Sequence, residues 1–140
     1  MTVTLNIKQY VDDDGVIHID IEQPGAAGIK GTVEKRILNG EWNEQENPVF
    51  GTVKGRTKWT TLSALSDSDE DDKFLKSKWD QQTQEGDVIE SYAESLNNGW
   101  VARQVWGFQE VNGARKYTRN VVVKKGSETK RVTLHYDYIA

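Results

Sequence analysis

A chain of 140 residues has the length of one ordinary domain and can bury a continuous core without crosslinks. It has no cysteine, which excludes disulfides, thiolate metal sites and thiol nucleophiles. Its 18 basic and 22 acidic residues give a net charge of −4, and an acidic surface repels the phosphate backbone that a nucleic-acid binder must neutralise.

The first residues, Met1 to Lys8, alternate polar with apolar and lack the charged start, apolar run and small-residue cleavage site of a secretory leader. No apolar stretch is long enough to span a bilayer. A single domain over residues 1–140 in the cytoplasm, without integral membrane association, is expected.

Two-residue periodicity, broken by turn residues, dominates the chain and predicts mainly β structure. A first strand spans about Thr2–Tyr10 and ends at the turn Asp12-Asp13-Asp14-Gly15. The next, Val16–Glu22, alternates Ile17, Ile19 and Ile21 with His18, Asp20 and Glu22, and Pro24-Gly25 stops it. A third covers Gly28–Leu38, with Asn39-Gly40 predicted to turn a hairpin into Glu41-Trp42. Val49–Trp59 follows, with Gly51, Gly55, Val53 and Trp59 on one side. Between Ser66 and Trp79 the pattern changes. Acids from Asp67 to Asp72 precede Lys73, Lys76 and Lys78, and Phe74, Leu75 and Trp79 share a face, which predicts one short helix near residues 70–79. Strands over Asp87–Leu96, Trp100–Val111, Arg115–Lys124 and Thr129–Ile139 then form a meander joined by Asn97-Asn98-Gly99, Asn112-Gly113 and Lys125-Gly126-Ser127. Strands of this number and length leave open edges unless the sheet closes, so the expected architecture is an antiparallel up-and-down β-barrel of about eight strands.

With the more apolar face of each strand inward, the interior receives Val3, Leu5, Ile7, Ile17, Ile19, Ile21, Trp59, Trp100, Trp106, Phe108, Val121, Val123, Leu134, Tyr136 and Tyr138. The same faces carry Gln104, Tyr117 and Arg119, and the Asp87–Leu96 strand adds Tyr92 with Glu90 and Glu94. A few polar groups among aromatics suit a pocket for a small apolar or amphipathic ligand, in which they fix its polar end. They equally suit a structural ion pair, or glutamates turned to water.

Sequential strands, Asn-Gly hairpins and an aromatic interior resemble the calycin group, the lipocalins and fatty-acid-binding proteins. That resemblance implies a barrel around a small hydrophobic molecule, and no family residue is carried over.

His18-Ile19-Asp20 and His135-Tyr136-Asp137 each place a histidine and an aspartate on one strand face, a candidate acid–base or metal arrangement, although the opposite faces claim the interior better. Neither acidic run has the spacing of a calcium loop, and no phosphate-binding loop, dinucleotide fingerprint, serine elbow or zinc-type histidine pair is present, so neither metal nor cofactor is expected. Three readings follow: a ligand-binding barrel, a cofactor-free isomerase or cyclase with Glu90, Glu94, Tyr92, Tyr117, His18 or His135 as acid or base, and an interaction module without a cavity.

Overall fold

The computed structural model describes residues 4–25, 28, 31–47 and 51–139, so Thr2, Val3, Ile29, Lys30, Val49 and Phe50, assigned to strands above, lie outside the described residues. The fold is mainly β and has two antiparallel sheets. A small sheet has the order β1 (Asn6–Val11), β2 (Ile17–Gln23) and β3 (Thr32–Ile37). A larger one runs β4 (Asn43–Asn47), β5 (Gly51–Thr60), β6 (Val88–Ser95), β7 (Trp100–Val111), β8 (Ala114–Lys125) and β9 (Glu128–Tyr136), each strand pairing with the next.

The turn chemistry expected of the sequence is present at the tightest connections. Asn112 and Gly113 both take positive φ, 52° and 83°, as a hairpin twisted with its strands requires. At the first turn the Asp12 carboxylate accepts from the backbone N–H groups of Asp14 and Val16. Asn39-Gly40 behaves differently from expectation. Instead of closing a hairpin, it carries the chain from one sheet to the other, with the Gly40 N–H donating to the Thr57 carbonyl. Strand β4 has a wholly polar sequence, Asn-Glu-Gln-Glu-Asn, and therefore no alternation to reveal it; it is an edge strand, where charge discourages further pairing.

The expected closed barrel is not found as one hydrogen-bonded cylinder. The sheets approach each other beside β3, where Gln45 donates to the Lys35 carbonyl and Arg36 to the Ser91 hydroxyl, while among the described residues β1 pairs with β2 alone and β9 with β8 alone.

Directly opposed residues in an antiparallel ladder share a side, so the register sorts the large sheet into two faces. One row runs Lys58, Glu90, Val105, Asn120 and Thr133; the next, on the other face, runs Trp59, Ile89, Trp106, Arg119 and Leu134. The first face is covered by helices. Asp69 caps α1 (Glu70–Leu75) by accepting from the N–H groups of Asp71 and Asp72, and Asp80 caps α2 (Gln81–Glu85) through the N–H of Thr83. Leu75 and Trp79 pack with Leu62, Leu65, Val88, Val105 and Val122 into one core. The helical segment near residues 70–79 is thus shorter than expected and followed by a second, which the sequence pattern did not show. It lies across a sheet face, away from the rim. Acids of both helices also tether the layer: Asp71 of α1 pairs with Arg131 and Lys124, Asp72 with Arg103, and the α2 cap Asp80 with Arg115.

The second core lies between the sheets, where Ile19 and Ile21 of β2 meet Ile89 and Trp106, with Leu5, Leu38 and Tyr117 packed beside them.

Candidate functional site

The cleft where the two sheets meet is filled at its centre by the second core, and it gathers most of the aromatic residues singled out from sequence. Its centre is Trp106, 3% exposed, on β7. Its indole N–H donates to the Gln104 side chain at 2.8 Å, two residues along the same strand face. Two guanidinium groups lie over the indole ring, Arg119 at 4.2 Å and Arg36 at 5.5 Å from ring centroid to Cζ. Arg119 is the cross-strand neighbour of Trp106, whereas Arg36 reaches it from β3 across the gap. Tyr117 stacks on Tyr136 and lies against Phe108, and Arg119 also sits near both tyrosine rings.

The polar groups here are mostly donors. Arg119 Nε donates to the Tyr117 hydroxyl at 2.8 Å, and Arg36 donates to Ser91 and, at 3.3 Å, to Glu34. Burial pushes the Tyr117 phenol above its ordinary pKa; the neighbouring Arg119 opposes this and the Glu34 charge reinforces it. The phenol therefore stays protonated at neutral pH, with no described residue accepting its proton. Arg119 Nη2 and Arg36 Nε are buried and have no acceptor among the described residues. Leaving such groups unpaired in a buried setting is costly.

The other expected site residues divide. Trp59 and Leu134 flank the central row and are partly open to solvent, and Trp100 stands on the same face at the far end of β7, opposite Lys125. Glu90, Tyr92 and Glu94 are not in the cleft: the register turns them to the helix-bearing face, where Tyr92 donates to Glu94 and Glu90 faces Lys58. Ile89, Ser91 and Ala93 occupy the cleft side instead, opposite Trp106, Gln104 and Ala102. Neither histidine is in the cleft. His18 lies on the outer face of the small sheet, stacked on Tyr10 and bonded at 2.7 Å to Asp12, whose carboxyl it holds below the usual range. His135 lies on the helix-bearing face and contacts the Thr118 hydroxyl. Asp71 and Asp72 are engaged by basic side chains. Arg36 and Glu34 are the site residues that hydrophobic alternation conceals, since it selects Val33 and Ile37 as the inward residues of β3. The pairing of Ile19 with Arg36 puts the charged pair inside.

Comparison with known proteins gives this face a context. Over 125 residues the chain is 37% identical to a probable pericyclase of Mollisia scopiformis, covering 89% of this chain and 64% of that protein. Over 140 residues it is 30% identical to a pericyclase of an Acremonium species, covering 99% of this chain and 73% of the other. The chain belongs to this pericyclase family. It spans somewhat under two thirds of the Mollisia relative and nearly three quarters of the Acremonium one. No family model and no solved structure matches it. No helix of this pericyclase-family chain is long and apolar enough to cross a membrane, among the described residues.

Proposed function

We propose that this chain promotes a pericyclic ring closure of a flexible, unsaturated small molecule held in the inter-sheet cleft. The observation that carries the reading is the relationship to two pericyclases, together with a cleft that offers aromatic walls and hydrogen-bond donors. A pericyclic step moves electrons around a ring of reacting atoms and requires no base, nucleophile or hydride donor. What a protein supplies is conformation: confining a chain so that its reacting ends meet removes much of the entropic barrier.

In this reading Trp106, Phe108, Tyr117 and Tyr136 shape the folded substrate, and Arg119, Arg36 and Gln104 hold its polar end. The two sheets act as walls of an incompletely closed barrel, which is where the likeness to calycins enters as a proposal. The alternative acid–base roles for Glu90, Glu94, Tyr92 and the histidines have no part in it, because those residues lie on other faces.

The test is to supply the purified chain with the substrate of the Acremonium relative. A product of unchanged mass, formed faster than in buffer and as one stereoisomer, is the expected result. A folded protein that binds the compound yet leaves its conversion at the background rate overturns the reading in favour of a ligand-binding role.

A further inference from the structure

We propose that the cleft selects substrates that end in an ionised, delocalised oxygen group, a carboxylate or an enolate, and that the Arg119 and Arg36 guanidinium groups receive it over the Trp106 ring. The inference rests on the cyclase reading for its substrate and adds the chemical class of the end that is bound.

The charge balance of the cleft is the starting point. Arg119 is 7% exposed and has no carboxylate partner among the described residues. A buried cation is ordinarily paired, since taking it from water costs several kcal/mol that a nearby anion offsets. Among the described residues the guanidinium hydrogen-bonds to a neutral phenol alone, supplemented by the faces of Trp106, Tyr117 and Tyr136. The second guanidinium, Arg36, has one carboxylate partner, Glu34, which is 46% exposed and meets Nη2 at 3.3 Å, while Nε has no acceptor among the described residues. Two cations and one carboxylate leave a local positive charge inside a protein whose net charge is −4.

The donors match such a guest. Arg119 Nη2, Arg36 Nε and the Tyr117 hydroxyl present protons without acceptors, and planar guanidinium groups suit oxygen atoms that share a charge. On the same sheet face Phe108 and Leu134 expose apolar surface beside the buried Trp106, which suits the unsaturated chain attached to that group. A neutral ester or alcohol would use the wall and leave the cation uncompensated.

The experiment uses parinarate, a fluorescent linear tetraene carboxylate, and its methyl ester, titrated into the folded chain and followed by probe fluorescence and tryptophan quenching. A tetraenoyl cyclohexane-1,3-dione and its enol ether form the enolate arm. At least one anion is expected to bind about ten- to a hundredfold more tightly than its neutral partner, and the tighter anion identifies the oxygen group. Arg119→Gln and the double variant with Arg36→Gln should reduce that preference to about threefold or less, the loss falling mainly on the anion. The preference should persist in high salt, because a buried pair is screened far less than a surface one. Equal binding of anion and neutral partner in both arms, or a preference undiminished in the folded double variant, overturns the proposal. Anion preference without cyclisation of the relative's substrate removes the cyclase reading and leaves this receptor standing; cyclisation without anion preference does the reverse.

Discussion

Arg119 separates stability from function more sharply than any other residue here. Because it is buried without an anionic partner, Arg119→Met should leave thermal stability unchanged or raise it by about 1–4 kcal/mol. The same change should abolish preference for anionic ligands. A chemical-denaturation series on the variant checks this, and a large loss of stability would show that the guanidinium is structural. Trp106→Ala, in contrast, removes the ring at the centre of the inter-sheet core and should cost about 3–5 kcal/mol. Gly107, the next residue, faces the helices. A Cβ there would lie 2.7 Å from Thr83 Cγ2 and 3.2 Å from the Trp79 ring, so Gly107→Ala should push α2 outward and cost about 1–3 kcal/mol in thermal melts. An unshifted melting temperature would mean that the helix layer gives way freely.

At the scale of elements, the helix layer depends on ionised carboxylates. The Lys124 hydrogen bond, together with Arg131 and against the cost of burial, holds the Asp71 carboxyl below its ordinary pKa. For Asp72 and Asp80 burial works in the opposite direction, but the Ser66 and Thr83 bonds and the partner arginines prevail, and both are also lowered. A carboxyl lowered in the folded state adds stability that is fully present above the unfolded pKa, about 3.9. That contribution is lost as pH falls from there through the folded values. Acid should therefore loosen α1 and α2 first, with Trp79 fluorescence changing below about pH 4. Asp71→Asn should flatten part of this acid dependence; an identical profile would show that the tether contributes nothing. The C-terminal carbonyls of α1 have a separate anchor. Asn120, fully buried, offers its amide N–H group to the carbonyls of Phe74, Leu75 and Ser77 while accepting from Thr133.

For the whole molecule, the two cores predict unequal local stability. Strands β6, β7 and β8 lie inside the large sheet and are packed on both faces, while the small sheet is held chiefly by Ile19 and Ile21 and a few side-chain bonds. Amide exchange should be slowest in β7 and β8 and markedly faster in β1 and β3. Equal protection in both sheets would contradict this unequal stability. Because the small sheet is one wall of the cleft, Ile21→Ala should weaken ligand binding as well as stability, whereas Leu75→Ala, behind the large sheet, should affect stability alone.

The β class, the turns at Asp12–Gly15 and Asn112-Gly113, the acidic start of α1 and the Trp106, Gln104 and Tyr117 face follow from local properties of the chain: residue periodicity, backbone freedom at turns and helix electrostatics. Those properties act within a few residues and need no partner. Which face of β3 and β6 looks inward is different, because both strands carry side chains suited to either side and only pairing decides. Ile19 opposite Arg36 and Trp106 opposite Ile89 bring Arg36 and Ser91 into the cleft and exclude Glu90, Tyr92 and Glu94. The division into two sheets is likewise a long-range outcome, since Asn39-Gly40 has the composition of a hairpin and becomes a crossing only because its N–H finds Thr57. The chain's own sequence thus determined the aromatic and basic inventory of the site, and tertiary pairing decided which of those groups meet.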